Sequence, residues 1–155
     1  MKTLTVIPVF QLLIFLPVLA NATDQCDVDS MAKIGRAIAN SDQEKRVAHI
    51  RLSEKANKTL TQIQELQVLE SQIRADDVVH QNKILDLAQR CGIPNGNLIN
   101  NPFLDAALVV ALHAPLEYEL AIYPYLQSAT KIGDLSTIAL EKLERRIGYW
   151  QRMKP

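Results

Sequence analysis

Apolar side chains between Leu60 and Cys91 recur at steps of three and four residues, and this spacing constrains the fold more than any other feature of the chain. The stripe consists of Leu60, Ile63, Leu66, Ile73, Ile84, Leu87 and Cys91. An α-helix places residues at that spacing on one face. Gly92 then supplies a C-terminal cap position, and Pro94 prevents continuation. The pattern predicts one long amphipathic helix of the kind found in bundles.

Shorter helical segments are predicted before it. Asp29 or Ser30 can cap a first helix that extends through Asn40. The polar run from Asn40 to Asp42 is typical of a break or a second cap, so a separate segment is expected from Gln43.

The segment after the turn-rich loop at residues 93–101 is apolar on nearly every side. Asn101 and Pro102 form a cap followed by a first-turn proline. The apolar residues extend from Phe103 to His113, interrupted by Asp105, and Ala114-Pro115 ends the helix. A helix with so little polar surface is expected in the middle of the domain.

Two further helices complete the prediction. The first begins at Leu116, kinks or restarts at Pro124 and stops at Gly133. Asp134 is expected to cap the last helix, whose inward stripe is Ser136, Ala139, Leu143, Ile147 and Trp150. Because no period-two strand pattern is present, the sequence predicts an all-α, single-domain helical bundle with one long amphipathic helix.

Residues 1–22 have the features of a cleaved signal peptide. Lys2 precedes an apolar stretch from Leu4 to Ala20, and Ala20 and Ala22 stand in A-x-A spacing. A membrane-spanning helix is disfavoured, because polar or helix-breaking residues interrupt a stretch that is short for a bilayer core of about 30 Å. These residues are Pro8, Gln11 and Pro17. We therefore expect one periplasmic or secreted domain at residues 23–155, without a stable membrane anchor.

Two further properties agree with export. The two cysteines, Cys26 and Cys91, both follow the predicted cleavage site, and an even pair in an exported chain predicts a disulfide. Loss of Lys2 with the signal leaves 16 basic residues against 17 acidic ones, a net charge of −1. A chain so close to neutrality lacks the positive field that nucleic acid requires.

Asp77 and His80 interrupt the apolar stripe of the long helix and lie on one face of it. A functional interpretation is an acid–base or metal half-site completed by His113 and by Glu117 or Glu119. The alternatives are a buried polar network that fixes the packing of the bundle, or a stripe that emerges into solvent. His113 also stands at a helix C-terminus, where a cation is favoured.

Neither a metal nor another cofactor is predicted. The three histidines, His49, His80 and His113, belong to separate helices and none stands in H-E-x-x-H spacing. Nucleophile elbows, phosphate loops and dinucleotide fingerprints are also missing from the sequence.

Most aromatic residues of the predicted mature chain belong to its last two helices: Tyr118, Tyr123, Tyr125, Tyr149 and Trp150. Aromatic side chains of this kind are enriched at the centres of protein interfaces, and they also serve as core packing. Both interpretations remain open at this stage.

The chain also contains a series of short motifs: Asp42-Gln43-x-x-Arg46, Asp77 with Asn82, Gly92-x-Pro94, His113-Ala114 and Glu144-Arg145. Together they resemble an uncharacterised bacterial helical domain family with D-Q-x-x-R, D…N, G-x-P, a histidine, and a closing D-R followed by Q-x-Y-G-T-Q. Here Glu144 replaces the aspartate, and residues 147–151 only loosely echo the tail. The resemblance spans residues 42–151, implies a helical domain and brings no known reaction with it.

Two functions from different classes follow. The first is an immunity-like or inhibitor-like protein that binds and neutralises or modulates another protein, such as a secreted toxin or effector. The second is a small hydrolase or metal-dependent enzyme that uses Asp77, His80 and His113, with Glu117. Convergence of these side chains in an open pocket would favour the enzyme, and their scattering would favour the binding protein. A chaperone-like role would need a broad apolar groove.

Overall fold

The computed structural model describes residues 26–93 and 101–153, and this part of the chain is helical without any strand. Its helices are α1 (Val28–Ser53), α2 (Leu60–Cys91), α3 (Pro102–His113), α4 (Leu116–Lys131) and α5 (Thr137–Met153). The predicted all-α bundle is therefore confirmed. The predicted signal peptide at residues 1–22 and residues 94–100 of the turn-rich loop lie outside the described residues.

The predicted long helix is α2, with the expected ends. Thr59 and Gln62 form a capping box: the Gln62 N–H donates to Thr59 Oγ1 at 3.3 Å, and the Thr59 N–H donates to Gln62 Oε1 at 3.0 Å. At the other end Gly92 adopts φ 72°, a backbone conformation that favours glycine.

Only the second half of the α2 stripe is buried. Leu60 is 81% exposed, whereas Ile84 and Leu87 are fully buried. Along α2 the buried residues all come from His80 onward. Helix α2 contacts α1, α3 and α4. The first part of the stripe thus faces solvent, whereas His80 is already buried.

The predicted break between Asn40 and Asp42 is wrong, because α1 is continuous from Val28 to Ser53. Its N-cap is Asp27 rather than Asp29 or Ser30, and the Asp27 carboxylate accepts from the Ser30 N–H at 2.8 Å. An Asp side chain disrupts a helix when it competes for backbone groups. Asp42 instead accepts from Arg46, one turn later in α1.

Helix α3 lies at the centre of the bundle, as predicted, and contacts each of the other four helices. Asn101 caps it by accepting from the Phe103 N–H at 3.0 Å, with Pro102 in the first turn. Its buried residues form one broad face of the helix, while Leu108, Val109 and Leu112 are partly buried and Asp105 is exposed. The buried face consists of Phe103, Leu104, Ala106, Ala107, Val110 and Ala111.

The last two helices follow the prediction in part. Helix α4 continues through Pro124 to Lys131, so of the two predicted alternatives the restart is wrong. Asp134 does not cap α5, which begins at Thr137; the Asp134 side chain is buried instead. The inward face of α5 consists of Leu140, Leu143 and Ile147, with Ala139 partly buried and Ser136 and Trp150 exposed.

Cys26 and Cys91 form the predicted disulfide, with Cα atoms 5.2 Å apart. The bond joins the residue that precedes the N-cap of α1 to the last residue of α2. It therefore connects the two helices at the end opposite to their hairpin turn.

Helices α1 and α3 approach so closely that only glycine fits at position 35. A Cβ there would lie 2.4 Å from the Pro102 carbonyl oxygen and 2.6 Å from the Phe103 Cα. Because both atoms are backbone, a helix would have to move. We expect Gly35→Ala to lower the free energy of unfolding by about 1–3 kcal/mol in urea denaturation.

Gly148→Ala is the matched control for Gly35→Ala. Its Cβ would contact only the flexible end of Arg152, at 3.4 Å, and the residue lies inside helix α5. Alanine there should raise the free energy of unfolding by about 0.5–1 kcal/mol. Equal effects of the two substitutions would contradict the close packing of α1 on α3.

Candidate functional site

An open cleft lies between α1, α2 and the C-terminal end of α3, with a volume of about 400 Å³. We call it the Arg46 cleft. Its lining residues are Arg46, His49 and Ile50 from α1, Glu70, Ile73, Arg74 and Asp77 from α2, and His113 from α3. Most of these side chains can ionise, whereas Ile50 and Ile73 are apolar.

Arg46 joins two carboxylates from different helices. Its Nε donates to both oxygens of Asp42, at 2.9 and 3.0 Å, and its Nη2 donates to Asp77 Oδ1. The Asp42 side chain is 2% exposed and that of Asp77 is 20% exposed. The Asp42–Arg46 pair spans one turn of α1, whereas the bond to Asp77 holds α1 against α2.

The environment of the cleft brings Asp77 and His113 closer to their neutral forms. Burial raises the pKa of Asp77, against the opposing effect of Arg46. Burial lowers the pKa of His113, and the positive charge of Arg46 lowers it further. The cation expected at the C-terminus of α3 is thus disfavoured there, because desolvation acts against the charged imidazole.

The rim of the cleft contains a second, more exposed set of charges. His49 Nε2 lies 3.3 Å from Glu70 Oε1, and Arg74 Nη1 lies 3.8 Å from Glu70 Oε2. Such solvent-exposed pairs contribute little to stability. They do balance the charge of Glu70 at the entrance.

The structure brings two of the four residues of the predicted acid–base site into one cleft. Asp77 and His113 line the Arg46 cleft. His80 is buried and its Nδ1 has no hydrogen-bond partner. Glu117 lines a different cleft, next to Trp150. No cluster of three or more His, Cys, Asp or Glu side chains within residues 26–93 and 101–153 is arranged to hold a metal ion.

Four residues of this site were not predicted from the sequence: Asp42, Arg46, His49 and Glu70. A usable indication was present for the first two, since Asp42 and Arg46 stand at i, i+4 spacing in the D-Q-x-x-R motif. Glu70 also stands on the stripe of α2 that contains Asp77, seven residues before it. For His49, which lies on another helix, the sequence contains no comparable indication.

A second ion pair connects α4 to α5. The carboxylate of Glu119 is fully buried and accepts from Arg146 Nε, and Arg146 Nη2 donates to the Ala114 carbonyl at 3.2 Å. The guanidinium of Arg146 also lies over the Trp150 ring, 5.6 Å from its centroid. Arg146 thus connects the buried end of α4 to an aromatic residue near the surface.

Exposed aromatic and apolar side chains cluster at the end of α5, and we call Tyr149, Trp150 and Met153 the α5 aromatic surface. Trp150 is 39% exposed and meets Tyr149 edge to face at 5.4 Å between ring centroids. Trp150 and Met153 line a cleft of about 310 Å³ with Pro115, Leu116 and Glu117.

The three tyrosines of α4 are placed differently. Tyr118 is 7% exposed and belongs to the core. Tyr123 is half-buried; its hydroxyl donates to Glu144 Oε1 at 2.7 Å and accepts from Gln127 at 3.0 Å. Tyr125 packs partly buried against the core. Of the five predicted partner-binding aromatics, Tyr149 and Trp150 are therefore the exposed pair.

Comparisons with known proteins yield no matching family model, no matching curated protein and no matching solved structure. Among the described residues, none of the helices has both the length and the apolar character needed to span a membrane.

Proposed function

We propose that this chain is an exported helical protein, periplasmic or secreted, that binds another protein and neutralises or modulates it. The proposed partner is a toxin or effector, as for immunity proteins and inhibitors. The observation that supports this proposal most directly is the α5 aromatic surface. There the large apolar side chain of Trp150 is 39% exposed and is not packed into the hydrophobic core.

The contacts around Trp150 suit an interface anchor. Arg146 stacks on the ring and is itself held by the buried Glu119 and by the Ala114 carbonyl. Tyr149, the preceding residue of α5, meets the Trp150 ring in an edge-to-face arrangement. A side chain that is already ordered before binding loses less conformational entropy, and aromatic anchors often dominate the binding free energy.

Export is supported by two features. The predicted signal peptide precedes the domain, and the Cys26–Cys91 disulfide is a bond that forms and persists in oxidising compartments. A covalently closed helical scaffold is a rigid carrier for a binding surface.

Capture experiments with the oxidised protein test this function. We expect Trp150→Ala to weaken partner binding by about 2 kcal/mol, the usual cost of losing an interface hot spot. Ile138→Ala, which removes another exposed apolar residue of α5, is the matched control and should leave binding unchanged. Equal capture by the parent and by Trp150→Ala would contradict the proposal, provided that circular dichroism shows an intact fold.

A second candidate function is favoured by one observation, the meeting of Asp77 and His113 in the Arg46 cleft. In a small hydrolase, neutral His113 would take a proton from water while the water oxygen attacks a substrate carbonyl carbon. The bond to the leaving group then breaks, and the imidazolium returns the proton to that group. Asp77 and Arg46 would position the substrate. His80 and Glu117 have no part in this proposal.

A further inference from the structure

We propose that the Arg46 cleft binds a small uncharged ligand that presents an amide group beside a short apolar group. This inference rests on the second proposed function, since it names the ligand class of the same cleft. It does not require turnover and is independent of the α5 aromatic surface.

Each charged side chain of the cleft already has an oppositely charged neighbour, and this pairing favours an uncharged ligand. Arg46 is paired with Asp42 and Asp77, while His49 and Arg74 lie beside Glu70. An anionic ligand would have to displace Asp42 or Asp77 from Arg46 and leave a half-buried carboxylate without compensation. A cationic ligand would have to compete with Arg46 or Arg74 for their carboxylates. An uncharged ligand can bind without breaking any pair.

The polar groups of the cleft match the two ends of an amide. Arg46 is a donor that can bind a carbonyl oxygen, and the Asp77 carboxylate is an acceptor that can bind an N–H. They stand side by side because Arg46 Nη2 donates to Asp77 Oδ1. His113 adds one donor and one acceptor when its ring is neutral, the form that burial and Arg46 favour.

The volume of the Arg46 cleft and its apolar lining residues indicate the short apolar group of the ligand. A volume of about 400 Å³ falls within the range of small-molecule sites and accommodates a ligand the size of a capped amino acid. Ile50 and Ile73 supply the apolar part of the lining. An aliphatic side chain next to the amide would cover these two residues.

The cleft is also ordered before a ligand arrives. Three hydrogen bonds hold Arg46, and Asp42 behind it is almost completely buried. Preorganised polar groups bind with a smaller entropic cost than mobile ones. This is the physical reason to expect measurable affinity for a small probe.

N-acetyl-leucine methylamide is the probe for this site, with acetate and isobutylammonium as its charged counterparts. In an NMR titration of the full oxidised chain, we expect saturable shifts of the His113 imidazole and the Arg46 Nε signals with the amide alone. His113→Ala should weaken the amide about tenfold, the effect of losing one good hydrogen bond. His113→Gln, which keeps a donor and an acceptor, should retain part of the affinity.

Val78→Ala is the matched control, because Val78 is exposed on α2 next to Asp77 and does not line the cleft. It should bind the amide like the parent. No saturable shift with the amide, or stronger binding of acetate or isobutylammonium, would overturn the proposal. Amide binding without turnover would contradict the hydrolase function but would agree with the proposed ligand class. Loss of protein capture in Trp150→Ala tests the α5 aromatic surface and does not bear on the Arg46 cleft.

Discussion

Replacing Arg46 with methionine should lower the free energy of unfolding by about 3–5 kcal/mol, because it leaves the buried Asp42 carboxylate without its charged partner. The side chain of Asp42 is 2% exposed and accepts two hydrogen bonds from Arg46. Methionine keeps much of the apolar stem and removes the charge. Urea denaturation at neutral pH measures the effect.

Two further variants test whether the burial of Asp42 causes the loss of stability in Arg46→Met. Arg145→Met removes an arginine whose pair with Glu141 is more than half exposed. We therefore expect it to lower the free energy of unfolding by less than about 1 kcal/mol. Combining Arg46→Met with Asp42→Leu removes both buried partners and should recover part of the loss. An Arg46→Met effect as small as that of Arg145→Met would show that solvent already screens the Asp42–Arg46 pair.

The second large effect is expected from the disulfide. Replacing Cys26 and Cys91 together with alanine should lower the free energy of unfolding by about 4 kcal/mol, the upper range of the loop-entropy model. The large value follows from the separation of 65 residues, since a longer closed loop restricts the unfolded chain more strongly.

Thermal and urea denaturation of the double variant, compared with the parent protein, measure this contribution. The parent in the presence of a reductant is the matched control, because it lacks the bond while keeping both side chains. A double variant that unfolds at the same urea concentration as the oxidised parent would contradict the prediction.

Several parts of the fold could be predicted from sequence because their causes are local. The ends of α2 follow from Gly92 and from apolar spacing that begins at Leu60, and the start of α3 follows from Asn101 and Pro102. These signals act within one helical turn. The break at Asn40–Asp42 was predicted wrongly for the converse reason: a polar run in the sequence does not show that Asp42 is buried against Arg46.

For the candidate site, too, some residues could be predicted from local sequence patterns and others could not. Asp77 and His113 were selected because each interrupts or ends an apolar pattern. His80 was grouped with Asp77 because the two residues are three positions apart. Side chains at that spacing still point in directions that differ by about 60° around the helix axis. That angle separates Asp77 in the cleft from His80 in the core.

The sequence by itself determined the helical class, the principal helix ends and the pairing of the two cysteines, because periodicity, caps and cysteine count are properties of the chain. Tertiary structure alone decided that Arg46 meets Asp77, 31 residues away, and that His113 faces them from α3. It also decided which half of the α2 stripe is covered. The physical reason is that burial and charge pairing depend on how helices pack, and distant helices pack through contacts that no local pattern encodes.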